Sequence, residues 1–515
     1  MKPVRLMSGF MTVGVWTLAS RLLGFLREIL IAAYIGPGPL LDAFVAAFRL
    51  PNLFRRFFAE GAFNAAFVPM FAKRLEAGED PQGFARDALN LLGVTVLALT
   101  GLSMVFMPAL VWATAGGFVG DERFDLATGF GRILFPYILF MSLAALFSGV
   151  LNATGRFAAS AAAPVLLNIF TCSAMVAASQ LGQDVMTWLI WTIPFAGVAQ
   201  LALLWVASAR AGISLRPSLP RLTPEMKQLV KVAVPAGLAM GVTQVNLVVG
   251  QLAASNFENA VSWLFIADRL YQLPLGVVGI AVGVVLLPDL SRRLRAGDEQ
   301  GARDALSRAG EFSLLLTVPS ALAFLAIPMP LVSVLYQRGA TGPDDVAAIA
   351  LAVAIYGAGL PAFVLQKVLQ PLYFAREDTR SPFHFALVAM VINGVLALGL
   401  QPVMGWISPA IGATAAGWGM VILLWRGTAK MGESARFDSR FHQRSLRIVL
   451  ASLIMAVVLY GAALLLAPIL TMAYWRYIAL LGLVILGALV YFTVGQKIGA
   501  LRLAEFKSAL RRRKA

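Results

Sequence analysis

The residues able to do chemistry in this chain are arginines placed where arginine is costly. Arg21, Arg27, Arg49, Arg55, Arg56 and Arg269 interrupt otherwise apolar stretches, with Glu28, Asp42, Glu60 and Asp268 as the nearby acids. A guanidinium at membrane depth costs about 2.5–3.5 kcal/mol even on the lenient insertion scale, so such groups face a water-filled cavity or a partner. The planar fork of arginine grips phosphate oxygens two at a time. Four acids do not neutralise six bases, so the pattern predicts a cationic cavity suited to a phosphate or diphosphate. At about 100° per residue, Asp42, Arg49, Asn52, Arg56 and Glu60 share roughly 80° of one helix face, and Arg56 and Glu60 form an i,i+4 pair. Arg55 points about 100° away from Arg56. Pro51 and Gly61 allow this helix to bend. For Arg49, Arg56 and Glu60, which have partners in reach, internal ion pairing that only joins helices is a second reading.

Other chemistry is scarce. The two histidines, His384 and His442, stand far apart, one opening an apolar run and the other in a basic loop. No metal-ligand spacing, P-loop or catalytic triad appears, so no metal or cofactor is expected. The single Cys172 cannot pair within the chain, falls in an apolar run, and reads as a small hydrophobe.

The elements that must position the arginines follow from composition. The chain has 515 residues, 59% hydrophobic and 13% charged, and its mean hydropathy is +0.79. That charge is about half the roughly 25% of a soluble protein, which excludes a soluble enzyme, a disordered chain and a disulfide-rich secreted domain. A span needs about 20 apolar residues. Stretches without Asp, Glu, Lys or Arg supply twelve spans between residues 88 and 496, once 381–425 is divided at the turn Gln401–Trp406. Two charge-interrupted apolar regions precede them, near 8–36 and 43–72, for a total of fourteen. The first reads as an uncleaved helix rather than a signal peptide, because Arg21, Arg27 and Glu28 follow at once. With the N-terminus inside, alternate loops carry 31 of the 42 Lys and Arg, and the opposite loops carry only Arg123, Arg338 and Arg476. That asymmetry sets both termini in the cytoplasm. The terminal run Arg511–Lys514 reads as an anchor at anionic headgroups, with no nucleic acid implied. Eight cations remain: the six above, Arg132 at a span end, and Lys367 at uncertain depth.

An internal repeat organises the spans. Pro69–Asp80 and Ala85–Leu89 match Pro288–Glu299 and Ala302–Leu306 at offsets of 219 and 217, sharing Arg-Leu-x-Ala-Gly and then Ala-Arg-Asp-Ala-Leu. Both copies fall at the end of an even-numbered span, so the halves are parallel repeats with a substrate path expected between them. The expected architecture is an all-α polytopic membrane protein: residues 1–215 as an N-terminal lobe of six spans, 216–440 as a C-terminal lobe of six, and 441–515 as two more spans with a basic tail.

Three stretches make the chain similar to a known family. Residues 20–28 (SRLLGFLRE), Asp42-Ala-Phe with 49–63 (RLPNLFRRFFAEGAF), and 267–277 (ADRLYQLPLGV) resemble the MurJ (MviN) family over the whole chain. The resemblance implies an inner-membrane lipid II flippase of the MOP exporter superfamily. It would move the undecaprenyl-diphosphate-linked disaccharide-pentapeptide outward by alternating access, for peptidoglycan synthesis and cell shape. It implies that Arg21, Arg27, Arg55 and Arg269 contact the diphosphate, that Asp42 is a functional acid, and that Glu28 fills a position that can also be Asp; Ser20, Arg49, Asn52, Arg56, Glu60 and Asp268 are read beside them as cavity support. The resemblance favours Arg55 where the face argument favours Arg56. It implies lipid II and membrane lipids as partners, with cell-wall synthesis proteins as further ones, and coupling to the membrane potential or a monovalent cation. Some relatives hold sodium between spans 7 and 11. Here span 7 has no acid between Val232 and Phe257 and offers Asn246 and Gln251, and span 11 offers Asn393, so that site is not expected to carry over. Three other readings fit the residues less well. A drug or other oligosaccharide-lipid exporter of the superfamily would lack the 49–63 motif. A membrane glycosyltransferase or phosphatase would need an acid cluster with metal, or a phosphate-binding loop. A cell-wall scaffold would not need buried arginine.

Overall fold

The protein is described by a computed structural model over residues 6–55 and 62–501, which contains helices and no strand among those residues. The chain divides into two compact units, Met1–Ser262 with Arg338–Ala340, and Trp263–Gln337 with Thr341–Ala515. In chain order the first ten helices are α1 (Leu6–Tyr34), α2 (Pro39–Arg55), α3 (Ala62–Ala77), α4 (Pro81–Val105), α5 (Met107–Ala115), α6 (Glu122–Leu134), α7 (Tyr137–Ala153), α8 (Phe157–Gln180), α9 (Val185–Arg210) and α10 (Pro224–Ser255). They are followed by α11 (Ala260–Arg295), α12 (Glu299–Ala326), α13 (Pro328–Tyr336), α14 (Pro343–Phe374), α15 (Arg380–Gly399), α16 (Gln401–Met404), α17 (Ser408–Thr428), α18 (Ser439–Leu465), α19 (Ala467–Leu470) and α20 (Trp475–Lys497).

Ten segments among the described residues are long and apolar enough to cross a membrane. Lipid tails are as apolar as leucine, so helices in a bilayer associate by close packing more than by leaving water. In the first unit α1 lies along α8, α8 along α9, α7 on α9 and α2 on α6. Phe67 is fully buried there, with the rings of Phe63, Phe71 and Phe84 centred 5.3, 5.6 and 5.7 Å away. In the second unit α12 packs on α14 and α18, and α17 on α14 and α15. A side chain at Gly417 of α17 would start 2.7 Å from the Phe363 ring of α14, so glycine is what lets that ring nest.

The two copies of the sequence repeat have the same local structure. Gly78 and Gly297 each adopt φ of +71°, a left-handed turn that ends the preceding helix. Asp80 then accepts the Gly83 amide at 2.9 Å, and Asp298 accepts the Gly301 amide at 2.8 Å, capping α4 and α12. Each capped helix breaks at its far end before a proline, α4 at Phe106 before Pro108 and α12 at Ile327 before Pro328. Proline has no N–H to continue the ladder, so each break starts a nine-residue helix, α5 or α13.

Candidate functional site

The arginines of α1 are fixed by the helix beside it. Ser20, Gly24 and Arg27 lie on one face of α1, at i, i+4 and i+7. Arg27 Nη1 donates to Asn168 Oδ1 of α8 at 3.1 Å, and Arg27 Nη2 donates to Glu28 Oε1 at 2.8 Å. Asn168 Nδ2 donates to the Ser20 carbonyl at 2.9 Å and reaches Ser20 Oγ at 3.5 Å. Glu28 is buried and the Arg27 side chain is 17% exposed. Arg21, six residues before Arg27, is exposed.

On α2 the polar residues split into two groups. Toward its C-terminal end Asn52 donates to the Phe48 carbonyl at 2.8 Å, and its Oδ1 accepts Arg55 Nε at 3.2 Å. Asn52 therefore steers Arg55. Arg49 reaches the Leu247 carbonyl of α10 at 3.5 Å. Arg56 and Glu60 lie outside the described residues. At the N-terminal end Asp42 is fully buried. Its Oδ1 accepts the Ser262 amide at 2.8 Å and the Ser262 hydroxyl at 2.5 Å, and its Oδ2 accepts Arg123 Nη1 at 3.2 Å. Arg123 also donates to the Phe257 carbonyl at 3.0 Å and to Asp121, and lies 4.5 Å over the Phe118 ring. The sequence counts Arg123 among loop cations, but its side chain is 6% exposed. Two carboxylates and an aromatic face replace the water it gives up.

Arg269 belongs to the second unit. It lies 4.7 Å over the Phe265 ring on α11. The neighbouring Asp268 accepts a hydrogen bond from Gln272. Tyr271 packs its ring 5.1 Å from Tyr356 and 5.6 Å from Phe363. Lys367 is exposed on α14, and Arg132 donates to the Met104 carbonyl at 3.2 Å. Among the span 7 and 11 amides, Gln251 donates to the Thr114 carbonyl at 3.2 Å. Asn393 is buried in α15 beside Gly412. No group of three or more His, Cys, Asp or Glu among the described residues could hold a metal ion.

The acids on α1 and α2 are thus taken up, Glu28 by Arg27 and Asp42 by Arg123 and Ser262. Arg21, Arg27, Arg49 and Arg55 stand on the same two helices. The sequence singled out neither Arg123 nor Asn168 as a site residue. Arg123 reaches Asp42 across 81 residues of chain and Asn168 reaches Arg27 across 141, though a lone asparagine in the charge-free run 157–183 is a visible signal.

Ten helical segments long and apolar enough to cross a membrane, among the described residues, mark a multi-pass membrane protein. The family model "Lipid II flippase MurJ" matches residues 31–486. A probable lipid II flippase MurJ of Rhizobium tropici is 42% identical over 519 residues, covering 99% of this chain and 97% of its own. A solved lipid II flippase MurJ in an inward closed conformation superposes with a TM-score of 0.78 at 25% identity, covering 94% of this chain and 98% of that one. A multidrug resistance MATE transporter of the MOP superfamily, inward-facing, shares the fold at a TM-score of 0.61 and 14% identity, over 81% of this chain and 95% of that one. The chain belongs to the MurJ lipid II flippase family of multi-pass bacterial membrane proteins.

Proposed function

We propose that this protein moves lipid II from the cytoplasmic to the periplasmic leaflet by alternating access, with Arg21, Arg27, Arg55 and Arg269 binding the diphosphate. One observation carries the reading. The acids of α1 and α2 are engaged by Arg27, Arg123 and Ser262, so the arginines of these helices keep an excess of positive charge. An excess of that kind at membrane depth matches a substrate whose conserved chemical feature is a diphosphate. Asn52 supports Arg55. Ser20, Glu28, Asp42, Arg49 and Asp268 are assigned as cavity support, together with Arg56 and Glu60, which lie outside the described residues. The prenyl tail stays in lipid.

The reading assigns fourteen spans, taking α1, the α2–α3 region, α10 and α11 as crossing segments beside the ten apolar ones. Residues 1–215 and 216–440 are then six-span lobes and 441–515 holds the last two spans. Both termini are cytoplasmic, as the positive loops require. Inward-negative potential favours return of an empty cationic site toward the cytoplasm, at about 2.3 kcal/mol per charge per 100 mV crossed. Cell-wall synthesis proteins are partners on this reading. A drug-exporter reading has only the shared fold behind it. The test is Arg269→Gln expressed in place of the native chain. Transport should be lost while membrane levels stay normal, and full transport removes Arg269 from the site.

A further inference from the structure

The amide of Asn168 is arranged as a bracket for one arginine. It is 6% exposed in α8, in a stretch with no charged residue from 157 to 183. A buried amide carries two donors and an acceptor that must be satisfied within the protein. Here both ends are used, and both point to α1. The nitrogen end holds the Ser20 carbonyl at 2.9 Å, and the oxygen end holds Arg27 Nη1 at 3.1 Å. A carbonyl can only accept and a guanidinium can only donate, so these partners fix which end of the amide is which. The two contacts span Gly24, and the amide packs over it, with a Cβ there 3.6 Å from Asn168 Nδ2, an ordinary van der Waals contact.

The consequence falls on Arg27. Its guanidinium is held on two sides, by Asn168 through Nη1 and by Glu28 through Nη2 at 2.8 Å. Those bonds use two of its five N–H donors, and its side chain keeps 17% exposure. A flexible arginine loses rotamer freedom when it closes on an anion, and a bracket that fixes its plane beforehand removes part of that loss. The carboxylate of Glu28 also draws charge toward itself. The neutral amide holds Arg27 without cancelling its charge, which a second carboxylate at that place would do.

We propose that Asn168 is a positioning residue for phosphate binding, holding the Arg27 fork in the orientation that meets a diphosphate. This rests on the assignment of Arg27 to the diphosphate site. The test is a double-mutant cycle on Kd for undecaprenyl diphosphate, with the full chain in nanodiscs of zwitterionic lipid. Asn168→Leu, of the same branched shape but without polar atoms, should weaken binding about tenfold, the scale of one charge-assisted hydrogen bond. Arg27→Gln should weaken it at least as much, and the double variant should bind like Arg27→Gln alone, within about twofold. Asn168→Gln, which keeps the amide, should return binding to within about threefold of wild type. A residue that only packs α8 on α1 would carry its full loss into the Arg27→Gln background, and that result overturns the proposal. So does wild-type binding by Asn168→Leu while Arg27→Gln is impaired. Wild-type binding by Arg27→Gln has a separate signature: it removes Arg27 from the site, and the role of Asn168 falls with it. If Asn168→Leu fails to insert, Asn168→Ala, which leaves space instead of an apolar branch, runs the same cycle.

Discussion

Replacing Arg123 by leucine should destabilise this protein more than any exposed arginine replacement. The substitution leaves Asp42, fully buried on α2, with Ser262 as its remaining partner at 2.8 and 2.5 Å. It also strips the Phe257 carbonyl of its 3.0 Å donor and removes the cation from the Phe118 face. Removing one partner of a buried pair costs about 3–5 kcal/mol, because the other charge is left in a poor medium. The bonds from Ser262 offset part of this, which sets the expected loss near 3 kcal/mol. Asp42→Asn is milder, near 1–2 kcal/mol, since an amide oxygen still accepts from Ser262 and Arg123 keeps Asp121 at 2.9 Å. The double variant Asp42→Asn/Arg123→Leu should recover at least 1 kcal/mol relative to the sum of the singles. Reversible unfolding of the purified protein in mixed micelles measures all four states. Arg123→Leu within about 0.5 kcal/mol of wild type, or strict additivity, would return Arg123 to the loop cations.

Other consequences follow from the same geometry. Glu311, buried on α12, meets Arg308 at 3.0 Å, Arg444 at 2.9 Å and Arg440 at 3.6 Å. Glu311→Leu removes the carboxylate these three arginines share, leaving Arg308 its contact with Asp438, and should cost about 3 kcal/mol in the same unfolding assay. Asn52→Leu releases the Arg55 Nε contact at 3.2 Å and should reduce lipid II transport several-fold with little change in membrane level. Asp80→Ala and Asp298→Ala remove equivalent caps and should each cost about 1 kcal/mol, matched within about 0.5 kcal/mol. Asp184, the cap of α9, is held below the usual carboxylate range, first by the Thr187 hydroxyl. Its contribution is fully present above the unfolded carboxylate pKa and disappears as pH falls through the lowered folded value. Asp184→Asn should therefore flatten stability against pH on the acid side, readable by thermal unfolding between neutral and acid pH.

The sequence reading reached far for the helices and less far for the site. Uncharged runs locate spans because the bilayer forbids charge, and the ten apolar segments follow directly from them. The repeat was legible down to a turn: the shared Ala-Gly predicted equivalence, and Gly78 and Gly297 share one φ of +71°. Asp42, Arg49 and Asn52 share one helix face, yet Asp42 turns to Arg123 while Asn52 serves Arg55. Helical angles say which way a side chain leaves its own helix, not which helix it meets. Pro51 lies inside α2 between Asp42 and Arg55, and a proline there removes one ladder hydrogen bond, so ideal angles carried across it lose force. The Asn168 bracket joins residues 141 apart and needs the packing of α1 on α8, which no periodicity encodes.

The central claim is that this protein delivers lipid II to the outer leaflet through its membrane-depth arginines. The most direct measurement depletes the protein in its own cell and scores lipid II by leaflet, with wild type or Arg27→Gln/Arg269→Gln resupplied. The account predicts that lipid II collects in the cytoplasmic leaflet on depletion, that wild type clears it, and that the arginine variant, inserted at normal level, does not. Normal outer-leaflet delivery during depletion, or full clearance by the variant, would contradict it.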